Sequence, residues 1–116
     1  MSIKKILVSS GWGAGWSTWN GGEVADYMLT YQPIIEFLES GGVFTEKDKP
    51  RYPEFEVKHP LLKQLVDECK ERFGADYVCL LGAEDLVVEV VSGPFRVTEY
   101  DGYESVEFKD ELDWKE

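Results

Sequence analysis

Two runs of alternating apolar and polar residues meet at Asp101-Gly102, and this feature constrains the fold more than any other. An Asp-Gly pair between such runs predicts a two-residue β-hairpin turn, because both turn positions need a positive φ. With this turn, Tyr100 faces Tyr103 and Glu99 faces Glu104. One face of the hairpin then carries Phe95, Val97, Val106 and Phe108, and the other carries Arg96 opposite Glu107. Matched pairs on both faces support the register.

Three further segments predict strands. Residues 3–9 are short, apolar and β-branched, and residues 77–81 and 86–91 alternate with a period of two around a tight turn at 82–85. The fold class expected is α+β. It would contain an antiparallel sheet of about five strands, the N-terminal strand plus a C-terminal four-stranded meander, with two or three helices packed on it.

The helices follow from apolar spacing. Residues 60–73 carry one apolar stripe, begin at Pro60 and end before Gly74, which predicts a helix. Residues 23–31 predict a second helix. Because Pro is accepted in the first turn of a helix, residues 33–40 are either a new helix or a kinked continuation.

The length of 116 residues predicts a single domain spanning 1–116. Residues 43–58 lack a clear period and contain Pro50 and Pro53, so we expect a long surface excursion there. Residues 109–116 are expected to form an acidic, frayed tail. Cys69 and Cys79 lie in apolar stretches and are interpreted as reduced core thiols.

The net charge of −11 limits the classes of partner. Nucleic-acid binding and attachment to anionic membranes both require positive charge, so neither direct nucleic-acid nor membrane binding is expected. A basic protein surface is the expected partner. The apolar run near the start is too short for a signal peptide or a membrane span, which predicts a cytoplasmic protein.

A glycine- and tryptophan-rich loop at residues 11–22 follows the first strand. It lacks the third glycine of a dinucleotide fingerprint and the lysine of a P-loop. Two interpretations stay open: the tryptophans plug the end of the core, or they form a recognition surface that stacks on a small, flat, nucleotide-like ligand. The ligand-binding residues would be Gly11, Trp12, Gly13, Gly15, Trp16, Ser17 and Trp19.

The C-terminal end from residue 99 carries eight acidic residues and two lysines. One interpretation is that these acidic side chains form a solvated surface without a binding role. The other is a contact site for a basic partner, because the opposed pair Glu99 and Glu104 needs a compensating Lys, Arg or cation. The partner-binding residues would be Glu99, Tyr100, Asp101, Tyr103, Glu104, Glu107 and Trp114.

Residues suited to catalysis are few. The single histidine, His59, precedes Pro60 and is interpreted as a helix cap or surface residue. One histidine and two isolated cysteines argue against a zinc site, and no other metal or cofactor is expected. Ser17 misses the nucleophile-elbow pattern at its last position. An enzyme that uses an unrecognised carboxylate pair is the third hypothesis, after an interaction protein and a ligand binder.

The tract Gly-Trp-Gly-Ala-Gly-Trp-Ser-Thr-Trp at 11–19, together with Glu-Tyr-Asp-Gly-Tyr-Glu-Ser at 99–105, resembles small uncharacterised proteins of bacteriophages and prophages. The resemblance covers most of the chain and implies no catalytic residues. It implies a compact accessory protein in a bacterial cytoplasm, where many such proteins bind and block a host factor. The first hypothesis is therefore a non-enzymatic, phage-type inhibitor whose acidic hairpin engages a basic surface of a host nucleic-acid-handling or defence protein.

Overall fold

β1 (Ile3–Ser9) and β2 (Leu86–Ser92) form an antiparallel pair in the computed structural model, which describes residues 3–45, 48, 57 and 59–108. Both faces of β1 are covered. Leu7 joins the main core, whereas Ile6 and Val8 belong to a second apolar cluster. A strand buried on both faces has a continuous apolar run, which explains why residues 6–8 show no alternation.

The hairpin of β3 (Phe95–Tyr100) and β4 (Tyr103–Phe108) has the predicted register at all six pairs. Asp101 and Gly102 adopt φ values of 49° and 87°, as a primed turn requires. The apolar face of the hairpin packs on Ile6, Val8 and Val91. The hairpin therefore covers one face of the β1–β2 pair.

The α+β class is confirmed, but the predicted five-stranded sheet is wrong. The described strands form two separate two-stranded sheets, β1–β2 and β3–β4. β2 pairs with β1, and no meander links it to the hairpin. The glycine of Ser92-Gly93, at φ 77°, turns the chain from one sheet to the next.

The predicted strand at 77–81 is absent because a side chain takes over the role of a strand partner. The Asn20 amide accepts a hydrogen bond of 2.9 Å from the backbone N–H of Cys79 and donates one of 3.1 Å to the carbonyl of the same residue. With both groups of Cys79 satisfied by one amide, Val78, Cys79 and Leu80 are buried without pairing in a ladder.

Three α-helices cover the other face of β1–β2: α1 (Gly22–Leu29), α2 (Gln32–Glu39) and α3 (Pro60–Phe73). α2 is a new helix with Pro33 in its first turn, so the kinked continuation is excluded. His59 caps α3: its Nδ1 accepts a 3.2 Å hydrogen bond from the N–H of Leu61, which confirms the predicted cap.

The main core lies between the helices and β1–β2. It includes Trp16, Met28, Leu62 and Leu65, all fully buried. Cys69 and Cys79 are buried free thiols, and burial raises the pKa of Cys69, which keeps that thiol protonated. Most of the predicted excursion at 43–58 and the whole tail at 109–116, with Trp114, lie outside the described residues.

Candidate functional site

The carboxylate of Glu104 lies inside the protein, within the glycine- and tryptophan-rich loop. One oxygen accepts a 2.7 Å hydrogen bond from the backbone N–H of Ser9. The other accepts from the N–H of Trp16 at 2.7 Å, the N–H of Thr18 at 3.0 Å and the Thr18 hydroxyl at 2.5 Å. Glu104 is 3% exposed, so this carboxylate replaces solvent for four donors. It is a structural group that joins the hairpin to the loop.

The geometry of β1 explains why Ser9 has a free donor. The N–H of Ser10 binds the carbonyl of Asp85 on the β2 side. Because N–H groups alternate in direction along a strand, the N–H of Ser9 points to the open edge of β1. Glu104 satisfies this edge donor where a further strand would otherwise be needed.

Glu99 lies opposite Glu104 in the hairpin but binds different donors. Its carboxylate accepts a 3.0 Å hydrogen bond from the indole N–H of Trp19 and one of 2.7 Å from the N–H of Gly102. The Trp19 bond, followed by the Gly102 bond, lowers the pKa of Glu99. The sequence predicted that a cation compensates the opposed charges of Glu99 and Glu104. Hydrogen-bond donors of the loop and the turn take that role instead.

The hairpin turn contacts the loop backbone directly. The N–H of Gly13 donates a 2.5 Å hydrogen bond to the carbonyl of Asp101. A Cβ on Gly102 would overlap the backbone of Ala14, so only glycine allows this approach. The loop therefore lies pressed against the turn, which fixes the position of Trp12 between Gly11 and Gly13.

Three exposed aromatic residues meet at this junction, and we call them the aromatic cluster: Trp12, Tyr100 and Tyr103. The ring centroid of Trp12 is 5.0 Å from that of Tyr103, with the planes tilted by 33°. Tyr100 meets Trp12 edge-on, with centroids 6.0 Å apart. Trp12 is 64% exposed and Tyr100 76% exposed. These contacts hold the rings in place while leaving much of their surface in solvent.

Two acidic residues contact the glycines on either side of Trp12. The carboxylate of Asp85 lies against the Cα of Gly11, where a side chain would otherwise project. That of Asp101 extends from the hairpin turn that binds Gly13. Within the described part of the chain, neither carboxylate accepts a hydrogen bond or forms an ion pair. Trp12 therefore lies between Gly11, which touches the Asp85 carboxylate, and Gly13, which binds the backbone of Asp101.

The structure separates the predicted partner-binding residues. Tyr100, Asp101 and Tyr103 lie together on the exposed tip, with Glu99 beside it. Glu104 does not lie on that surface, because the loop encloses it. Glu107 pairs with Arg96 at 2.9 Å. Trp114 lies outside the described residues.

The predicted ligand-binding residues divide in the same way. Trp16 is fully buried, with its indole N–H donating to the carbonyl of Met28 at 3.1 Å, so it plugs the core. Gly15 and Ser17 are also buried, which removes them from any ligand surface. Trp12 and Trp19 remain exposed. Trp16 therefore confirms the core-plug interpretation for one tryptophan, and the recognition-surface interpretation stays a prediction for Trp12 and Trp19.

Sequence reasoning missed Ser9, Thr18 and Asp85. Nothing local marks Ser9 or Asp85, since their roles arise from contacts across the fold. The inward position of Glu104 could have been predicted from the sequence. Side chains alternate between the two faces of a strand, so Glu104 lies on the same hairpin face as Val106 and Phe108.

No helix among the described residues is both long and apolar enough to cross a bilayer. Within the same residues, the search for three or more clustered His, Cys, Asp or Glu side chains that could hold a metal ion found none. Comparison with protein-family models, curated proteins and solved structures found no significant match. Fold and site together define an acidic α+β protein that exposes a cluster of three aromatic side chains at the junction of the loop and the hairpin.

Proposed function

We propose that the protein is a non-enzymatic interaction protein that binds a basic surface on a partner protein through the aromatic cluster and its flanking carboxylates. The single observation that carries the proposal is the exposure of Trp12 at 64% while its ring is held against Tyr103. Large aromatic rings dominate the energetics of protein interfaces. Rings that are already fixed lose little conformational entropy on binding.

Charge supports a basic partner. Residues 74–108, which include β2 and the hairpin, contain eight acidic residues and one basic residue, Arg96. Arg96 forms an ion pair with Glu107. Although Glu104 is buried and Glu107 is paired, the excess of negative charge speeds association with a positively charged partner and makes that association dependent on salt.

A protein that handles nucleic acid presents a basic surface of this kind. Binding there would exclude the nucleic acid by competition, so we propose an inhibitor of a bacterial nucleic-acid-handling or defence protein. The acidic tail outside the described residues adds charge of the same sign to the chain.

The experiment is a capture from bacterial lysate on immobilised protein, with washes at low and high salt, followed by measurement of affinity with the purified captured protein. We expect a basic protein that high salt releases and that nucleic acid displaces. Trp12→Ala combined with Tyr103→Ala should abolish capture. Tyr77→Ala is the matched control, since Tyr77 is an exposed aromatic residue with no ring contact to the cluster. Capture that survives the double substitution, or that is unaffected by salt, would refute the proposal.

The alternative, a binder of flat nucleotide-like ligands, has weaker support. The N–H donors of Trp16 and Thr18, which could cradle a phosphate, already bind Glu104. The net charge of −11 also repels anions. We therefore expect no quenching of tryptophan fluorescence by a panel of nucleotides, and clear quenching would favour the alternative.

A further inference from the structure

The surroundings of Trp12 restrict what can occupy its exposed ring. The indole contacts Tyr103, and the Tyr100 ring lies perpendicular to it with centroids 6.0 Å apart. The remaining surface is open. A ligand group that stacks there has to be flat, because only a planar group gains full contact with an indole face.

Charge sets a second restriction. The backbone of Gly11 touches the Asp85 carboxylate, and that of Gly13 binds the residue that carries the Asp101 carboxylate. Neither carboxylate has a partner in the described part of the chain. The occupant therefore has to be positively charged, which excludes nucleotides and acidic peptides from a favourable fit.

A guanidinium group satisfies both restrictions. It is planar, permanently charged and weakly hydrated, it stacks on aromatic faces, and its fork of N–H donors matches carboxylates. A lysine ammonium supplies the charge but has no flat face, and it loses more hydration when it approaches a ring.

We infer that the aromatic cluster is a docking site for an arginine side chain of the partner protein, with the guanidinium stacked on Trp12 and paired with Asp85 or Asp101. This inference rests on the proposed function and deepens it, because it names the chemical group that the site selects. A preference for arginine over lysine distinguishes an arginine docking site from a surface that attracts any positive charge.

The test measures the affinity of three short glycine-spaced peptides for the full chain, by calorimetry and by tryptophan fluorescence. The peptides carry arginine, lysine or citrulline at the same positions. Citrulline keeps the flat shape without the charge. We expect the arginine peptide to bind several times more tightly than the lysine peptide, and the citrulline peptide not to bind.

Variants locate the site. Trp12→Ala should weaken arginine-peptide binding by about tenfold and remove the preference over lysine. Asp85→Asn and Asp101→Asn should each weaken it by about threefold. Asp26→Asn, at an exposed position on α1, is the matched control and should leave binding unchanged. Thermal unfolding of each variant shows whether it is folded.

The outcomes distinguish this inference from the proposed function. Equal binding of the arginine and lysine peptides overturns arginine selection and leaves a partner-binding protein that works by charge. Binding of neither peptide, with Trp12-dependent capture from lysate intact, also overturns the inference while the proposed function stands. Loss of both peptide binding and Trp12-dependent capture refutes both.

Discussion

The backbone N–H of Trp16 and the carboxylate of Glu104 lie 2.7 Å apart although 88 positions separate them in the chain. This hydrogen bond joins the main core, to which Trp16 belongs, to the tip of the hairpin. Since the same carboxylate binds Ser9 and Thr18, a single side chain fixes the end of β1, the loop and β4 relative to one another. The exposed position of Trp12 depends on that arrangement.

Glu104→Gln should destabilise the fold. An amide keeps the shape, but it loses the charge and turns an NH₂ group toward backbone donors. Losing charge-assisted bonds of this kind costs about 2–3 kcal/mol. Urea unfolding measures the change, and Glu89→Gln, at an exposed position of β2, should change stability by less than about 0.5 kcal/mol. Equal effects of the two substitutions would contradict the structural role of Glu104.

Gly102→Ala and Gly93→Ala test the contact between the turn and the loop. Both glycines have positive φ, 87° and 77° respectively, so alanine is strained at each position. That strain costs about 1 kcal/mol. Only at Gly102 does the added Cβ also overlap another segment, the backbone of Ala14. Gly102→Ala should therefore cost about 2 kcal/mol more than Gly93→Ala in urea unfolding, as overpacking does. Similar costs would mean that the loop and turn do not touch.

Glu99 should titrate below its ordinary pKa of 4.5, because Trp19 and Gly102 donate to its charged form. A carboxyl whose pKa is lowered by folding contributes stability above its unfolded pKa, and this contribution is lost as the pH falls through the folded pKa. Carboxyl NMR titration measures the value. Trp19→Phe should raise the pKa of Glu99, since the indole N–H is the largest cause of its lowering. An unchanged pKa in Trp19→Phe would show that the bond does not form in solution.

Alkaline pH should destabilise the cluster of Tyr27, Tyr31 and Glu68. The Tyr27 hydroxyl donates a 2.5 Å hydrogen bond to the Glu68 carboxylate, whereas the Tyr31 hydroxyl is buried and without a hydrogen bond among the described residues. Burial, and then the Glu68 carboxylate, raise the pKa of both tyrosines above the ordinary value of 10.0. Their contribution to stability is complete below that value and is lost as the pH rises through the folded pKa values.

Tyrosinate absorbance, recorded with tryptophan fluorescence during a rise in pH, follows this transition. Tyr27 and Tyr31 should ionise late, together with unfolding. Tyr27→Phe should cost about 1 kcal/mol at neutral pH and raise the pKa of Glu68, which the Tyr27 hydroxyl lowers most. Early ionisation of all tyrosines in the folded protein would contradict the burial of this cluster.

Local chemistry determined the elements that the sequence predicts well. The hairpin register follows from one Asp-Gly turn, because the turn fixes which residues face each other before any tertiary contact forms. α3 follows from a 3.6-residue apolar stripe bounded by Pro60 and Gly74. In both cases the information lies within a few neighbouring residues.

Contacts between residues far apart in the chain decided the features of the fold that local sequence patterns predicted wrongly or left open. Residues 77–81 have the pattern of a strand, yet the Asn20 amide occupies the backbone of Cys79. The three loop tryptophans look equivalent in sequence, but one is in the core, one binds Glu99 and one stands exposed beside the hairpin tip.

By itself, the sequence determined the acidic character, the helices and the hairpin, since charge and periodicity are properties of residues and their near neighbours. Only the tertiary structure decided that Glu104 is an internal anchor and that Trp12 lies between the backbone contacts of Asp85 and Asp101. Hydrogen bonding of a buried carboxylate depends on donors brought together by folding, and no pattern of nearby residues specifies where those donors will be.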